Sequence, residues 1–416
     1  MQLFELRSTI QYEYRNRVLK GGHRQFMKNN KTALFLLMFN MFITMLGIGI
    51  IIPVMPSYLQ EFGASGQVLG FLIAGFAFAQ FLFSPIAGDL SDRFGRKPFI
   101  ICGLFLYAFS QILFGLADAV WILFVSRFLS GFGAALIMPP IMAYVADITT
   151  YEERGKGMGM LGAAMSLGFM VGPGFGGILG DINLTFPFFL AGTISTIAAL
   201  ITIFILPNVK PAPVTTKREN LAKQLIRSVK TNYFVLFIII FTFSFGIANF
   251  QATLSLFLDE KFNYTPTDLA IVLTVGGFIG VVLQIFIVEK LFKRFGEMNV
   301  ILVNLVLAAV TMLLIAFVSG FFIILTVATL FSIATTFIRP SVNTLVSKFA
   351  GAEQGFAAGM NNAYMSLGNM IGPALAGSLF DYNMNAPYYL GTAILLACFV
   401  VALVWSSKSM KQLLNK

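Results

Sequence analysis

Long apolar runs, broken only by short polar turns, set the pattern of this chain. They fall at approximately 33–60, 67–88, 98–117, 119–146, 157–180, 186–207, 232–258, 268–288, 298–319, 321–346, 355–380 and 386–406. Each is close to the roughly twenty residues that cross a hydrocarbon core of about 30 Å. The runs are too long and too evenly apolar for the alternating strands of a barrel. In lipid the backbone must satisfy its own hydrogen bonds, so the pattern predicts twelve transmembrane helices and an all-α membrane protein.

The pattern also repeats. At an offset of 200, Glu153 pairs with Glu353, Gly155 with Gly355, Gly159 with Gly359, Gly172-Pro173 with Gly372-Pro373, Asp181 with Asp381 and Pro187 with Pro387. "MSLGFMVGPG" from Met165 returns as "MSLGNMIGPA" from Met365. So many Gly, Pro and acidic matches at one offset mark an internal repeat. A charged, proline-containing stretch between the sixth and seventh runs separates the copies. The expected organisation is a tail over 1–31, a six-helix bundle over 32–207, a linker over 208–230, a second bundle over 231–407 and a tail over 408–416. Two six-helix halves with a site between them is the layout of a secondary transporter.

Composition agrees with a membrane chain: 57% of the residues are hydrophobic and 11% charged. Charge then supplies an orientation. Of the 28 Lys and Arg, all but Lys261, Arg127 and Arg339 fall on the side that holds the N-terminus, whereas the opposite loops carry mainly acids, including Glu61, Asp118, Asp181, Asp259 and Asp381. The positive-inside rule places both termini in the cytoplasm of a cell, in all expectation a bacterial one, with the chain in its plasma membrane. It also accounts for the net charge of +10 through anionic lipid, with no nucleic-acid partner.

Cys102 and Cys398 lie inside predicted spans and read as small apolar residues. His23, the single histidine, precedes the first span, so no histidine relay operates in the membrane. Residues 1–26 are polar and basic, and Met27 reads as an alternative start. There is no metal-ligand spacing, no phosphate-binding loop and no cofactor motif, so neither an enzyme nor an ATP-driven pump is expected.

Four motifs carry a family resemblance. "GDLSDRFGRK" (Gly88, Asp89, Asp92, Arg93, Gly95, Arg96, Lys97) joins the second and third spans, "RFLSGFGAA" begins at Arg127 in the fourth, "GFMVGPGFGG" lies in the fifth, and "LGIGIIIPVMP", with Pro53 and Pro56, ends the first. The chain resembles the major facilitator superfamily, and within it the twelve-helix drug/proton antiporters that include bacterial multidrug efflux proteins. The resemblance implies two pseudo-symmetric six-helix bundles, alternating access, amphiphilic small-molecule drugs as substrates, protons as coupling ion and a monomer in the bilayer. It implies further that the loop motif gates the basic end, and that Arg127 acts with substrate or proton. From the charges, Asp89 can face a helix N-terminus and Asp147 is the natural partner for Arg93. Gly168, Gly172, Gly176 and Gly177, with Gly368 and Gly372, permit close helix approach, and Pro173 and Pro373 each free a carbonyl and bend the helix. Both copies are expected at the sliding surface between bundles.

The chain departs from that branch where its coupling acids would stand. Local alignment puts Gln251 and Thr336 at those positions, and neither carries a proton. Buried arginines are costly, at least about 2.5 to 3.5 kcal/mol, so Arg127 and Arg339 call for partners or a wet cavity. Candidate cavity residues are Asn40, Gln111, Met138, Asn249, Phe250, Gln251, Thr335, Thr336, Asn361 and Tyr364, a soft wall with few fixed polar groups. Two arginines without a midplane acid favour neutral, zwitterionic or anionic amphiphiles. Export of a metabolite or sugar, uncoupled facilitation, or a transport-dead sensor or lipid-handling role are the other readings of the same fold.

Overall fold

The computed structural model describes residues 31–149, 151–208, 221–351 and 353–414. His23, the Met27 start and Lys210, Lys217 and Arg218 of the linker lie outside them. Helices account for nearly all of the described residues: α1 Lys31–Ile51, α2 Met55–Gln60, α3 Gly66–Phe94, α4 Arg96–Gly115, α5 Val120–Ile148, α6 Tyr151–Ile182, α7 Phe186–Ile205, α8 Leu221–Val229, α9 Phe234–Phe262, α10 Pro266–Phe295, α11 Glu297–Ile315, α12 Phe321–Thr336, α13 Ile338–Ala350, α14 Gln354–Tyr382 and α15 Ala386–Leu414.

Two expected spans are broken in ways their prolines explain. The first run is α1 plus α2: Pro53 has no N–H to donate, the helix stops at Ile51, and α2 restarts with Pro56 in its first turn. The tenth is α12 plus α13, where Pro340 leaves the Thr336 carbonyl without its helical donor and Phe337 interrupts the helix. Other spans run past the predicted ends; α3 continues six residues beyond Gly88 to Phe94. Hydropathy registers only the hydrocarbon, whereas backbone hydrogen bonding carries a helix on into the headgroup layer.

Eleven of the long helices are apolar enough to cross a membrane by length and composition. The twelfth, α14, has 29 residues but carries Asn361, Asn362, Ser366 and Asn369. Its neighbours shield it, since α14 packs on α9 in its own bundle and on α3 in the other. One bundle comprises α1 to α7 and the other α9 to α15, with counterparts nearly 200 residues apart: α3 begins at Gly66 and α10 at Pro266, α7 at Phe186 and α15 at Ala386. Each bundle has its own apolar core, around Tyr107, Ile137 and Tyr144 in the first and Phe237, Phe257 and Tyr388 in the second. They meet along two seams, α3 with α14 and α6 with α10.

Candidate functional site

One stripe on each seam helix shows how the bundles part. On α6 the residues at helical spacing toward α10 are Gly177, Gly174, Met170, Ser166, Ala163, Gly159 and Gly155. Gly177 is buried, Gly174 and Met170 are half-buried, and the rest are exposed. The corresponding stripe of α14 runs from buried Gly377 through half-buried Met370 and Ser366 to exposed Asn362, Gly359 and Gly355. A methyl on Gly177 would overlap Pro266 and Ala270, and one on Gly377 would overlap the Gly66 carbonyl, whereas at Gly155, Gly159, Gly355 or Gly359 it would meet open space. The bundles therefore close on each other at the end bearing Asp181 and Asp381 and separate toward the end bearing Arg93, Lys97 and Arg154.

The structure divides the expected cavity residues into two groups. Asn40, Gln111 and Asn249 are fully buried inside single bundles. Asn40 donates to Thr202 Oγ1 at 2.9 Å, Gln111 donates to the Gly47 carbonyl and the Tyr107 hydroxyl, and Asn249 donates to the Pro387 carbonyl at 2.9 Å. Phe250 is buried with its ring stacked on Phe331, and Thr335 bonds back to its own helix. Asn40, Gln111 and Asn249 each tie one helix to another within a bundle, while Asn40 Oδ1 and Gln111 Oε1 are buried without a partner among the described residues. Met138, Gln251, Thr336 and Tyr364 are partly exposed. Asn361 is mostly buried, donates to Asn343 Oδ1 at 2.9 Å and leaves its own Oδ1 without a partner.

The two arginines also differ. Arg127 is buried within the first bundle, its guanidinium 4.3 Å from the centroid of Phe114, one nitrogen 3.9 Å from Met55 Sδ, and Nε unpaired. Arg339 stands in the first turn of α13, beside the break at Phe337, and is exposed. Among the described residues neither arginine makes an ion pair.

At the basic end, the structure corrects two expected contacts. Arg96, not Arg93, is the partner of Asp147: its Nε lies 3.2 Å from Asp147 Oδ2, while Nη1 pairs with Asp92 and donates to Ser91 Oγ at 3.0 Å. Arg93 pairs instead with Asp89 one turn back, 2.9 Å away at an exposed surface, so the partner Asp89 takes here is a side chain of its own helix and not a helix N-terminus. The reason is register. Arg96 opens α4 immediately after Gly95, whose φ of 97° turns the chain, and that turn aims the side chain back between α3 and α5. Gly88 is buried at this end of α3, and Lys97 donates to the Ile203 carbonyl at the end of α7.

Comparison with known proteins now decides the family. The profile described as Major Facilitator Superfamily matches residues 37–287 and 236–415. The chain belongs to the major facilitator superfamily. Among its relatives, this facilitator is 41% identical over 391 residues to "Multidrug resistance protein 2" of Bacillus subtilis, covering 92% of this chain and 98% of that protein. It is 35% identical over 372 residues to "Quinolone resistance protein NorA" of Staphylococcus aureus, covering 89% and 96%. Solved structures with the same fold include the nucleoside transporter NupG (TM-score 0.74, 14% identity, 90% of this chain and 99% of that one) and a bacterial homolog of the lysosomal transporter Spinster, inward-facing and occupied (0.71, 16%, 90% and 94%).

Within the facilitator fold, the repeated glycines serve two different faces. Gly168, Gly172 and Gly176 approach Phe42, Leu46 and Ile50 of α1, and Gly368 and Gly372 approach Phe241 and Phe245 of α9. These contacts lie inside each bundle, so the four-residue stripe is not the sliding surface expected of it. Gly177 and Gly377 instead face the opposite bundle. Pro173 and Pro373 sit inside continuous helices, and Pro173 packs near Gly49. Sequence reasoning also missed the acids at the closed end: Asp259 accepts from Ser57 and Gln60, and Asp381 accepts from Gly66 and Gln67. The pairing of Asp181 with Asp381 in the repeat was the available signal.

Proposed function

We propose that this facilitator exports amphiphilic drugs by alternating access between its two bundles. The observation that carries the reading is the graded stripe on α6 and α14, packed at one end and open at the other. Two rigid bodies hinged so can expose one site to either side in turn. Long, well-covered relatives named for multidrug and quinolone resistance support drugs as the cargo. The positive-inside rule makes the open, basic end cytoplasmic, so this is the inward-open state, poised to load from the cell interior.

In this reading Met138, Gln251, Thr336, Tyr364 and Arg339 line the path, and among the described residues none of them pairs with a carboxylate. Arg339 favours neutral, zwitterionic or anionic amphiphiles over permanent cations, because an unpaired guanidinium repels a quaternary ammonium and can pair with a carboxylate. Export against a gradient needs a driving ion, and the proton is the one we assign. It is exchanged at a helix-end acid, since Gln251 and Thr336 carry no ionisable proton.

Everted membrane vesicles from cells that express the transporter test this. A fluoroquinolone added to energised vesicles dissipates the pH gradient under proton antiport, while uptake without that change indicates an uncoupled facilitator. Absence of both refutes export. Resistance profiles in a pump-deficient host test selectivity, and strong ethidium efflux contradicts the assignment to Arg339.

A further inference from the structure

We propose that Asp381 is a positioning residue of the transport cycle, which holds the acidic end shut by capping a helix of the opposite bundle. The proposal rests on the alternating-access reading above. Asp381 is the penultimate residue of α14. Its Oδ1 accepts the Gly66 N–H at 2.8 Å and its Oδ2 accepts the Gln67 N–H at 2.9 Å. Those amides open α3, whose own N-cap, Ser65, makes no side-chain bond. A helix start leaves four amides unsatisfied and carries partial positive charge, so a carboxylate there is both a cap and a counter-charge. Here that group comes from the other half of the molecule.

The pseudo-symmetric counterpart shows that this arrangement is specific. α10 is capped from within by Thr265 and Asp268, each bonding the other's amide. Asp181, the counterpart of Asp381, is exposed and makes no hydrogen bond or ion pair among the described residues. The repeat kept the acid twice, and one copy became a latch. Gly66 is suited to it: the direction its side chain would take is filled by Asp381 Oδ1, Leu256 and Phe380. A second cross-bundle acid lies nearby, Asp259 of α9, which accepts Ser57 Oγ at 3.3 Å and Gln60 Nε2 at 2.5 Å.

The two seam helices run antiparallel, so each brings an acid near its C-terminus to the level of the other's N-terminus: Asp381 at the closed end and Asp89 at the open end. In this structure Asp381 is engaged and Asp89 is turned to Arg93. A rocking motion that breaks the first contact brings Asp89 toward α14, so the pair offers one acid-to-helix contact in each state. Since Asp381 and Ser65 are both exposed, losing the cap leaves the α3 amides to water, and the variant folds.

The experiment uses full-length protein with Cys102→Ala and Cys398→Ala, and one reporter at a time. Thr274→Cys sits in the closed seam, where the threonine hydroxyl is buried and unpartnered, and Ala358→Cys sits on the exposed part of α14. A membrane-impermeant maleimide is applied to intact cells and to everted vesicles. Asp381→Asn should raise labelling at Thr274→Cys about five- to tenfold and lower it at Ala358→Cys, the scale expected for one helix cap. Ser65→Asp, which gives α3 a cap of its own, should act in the same direction without touching Asp381, and Asp381→Glu should restore much of the protection. For quinolone efflux, Asp381→Asn should lower turnover with KM unchanged. Unchanged labelling at Thr274→Cys in both Asp381→Asn and Ser65→Asp overturns the latch, as does a parallel rise at both reporters, which signals loosening of the fold. If Asp381→Asn fails to insert, Ser65→Asp decides alone. Labelling of Ala358→Cys from the cell exterior would refute the orientation and leave the latch to be judged by the ratio of the two rates.

Discussion

Arg93 and Arg96 stand three residues apart in one basic loop, and the structure gives them very different weights. The Arg93–Asp89 pair is an i,i+4 surface contact with side chains 67% and 40% exposed. Such pairs contribute less than about 0.5 kcal/mol, so Arg93→Ala should leave stability nearly unchanged. Arg96 is 7% exposed and shares itself between Asp92, also 7% exposed, and Asp147 at 17%. Replacing it by leucine removes the guanidinium that Asp92 and Asp147 share, and breaking a buried pair from one side costs about 3 to 5 kcal/mol. Thermal unfolding of purified transporter in detergent, followed by size-exclusion fluorescence, reads the difference. Arg96→Leu should unfold at a clearly lower temperature than Arg93→Ala. Adding Asp147→Asn to Arg96→Leu should recover part of the loss, because the carboxylate that Arg96 balanced across to α5 is then neutral. Equal damage from Arg93→Ala and Arg96→Leu would refute the assignment of Arg96 as the partner of Asp147.

The two glycine faces should separate in the same assay. Gly168→Ala forces a methyl against the Phe42 carbonyl within one bundle and should cost about 1 to 3 kcal/mol of stability, whereas Gly377→Ala acts across the seam, where the bundles can part, and should instead raise labelling at Thr274→Cys. Asn249→Leu removes the bond to the Pro387 carbonyl and should lower stability by about 1 to 3 kcal/mol without changing drug preference. Gln251→Leu, at a partly exposed position, should change the resistance profile and leave stability within about 0.5 kcal/mol; the reverse outcome would exchange their roles. Asp89→Asn should cut drug transport while membrane insertion, measured by surface labelling, stays intact.

Span number and repeat were legible in the sequence because both follow from one-dimensional quantities. A helix must be long and apolar to cross lipid, and duplicated halves keep their glycines, prolines and acids at one offset. Even α14, with its three asparagines, reads as a span in the sequence and is marked besides by its match to α6. The prolines that break the first and tenth spans were visible too, since a missing N–H acts locally. What only the tertiary structure decided was direction. A glycine stripe has the same spacing whether it faces its own bundle, as Gly168 and Gly172 do, or the other, as Gly377 does. A buried asparagine reads as pocket lining until Thr202 or Pro387 is found beside it. Arg93 and Arg96 are equivalent as text, and the turn at Gly95 alone sends one to solvent and the other between helices. Asp381 appeared as a loop acid with a twin, and its contact with the start of α3, 315 residues away in sequence, exists only because two antiparallel helices meet at a seam. Side-chain orientation and long-range pairing are set by packing in three dimensions, and spacing along the chain does not encode them residue by residue.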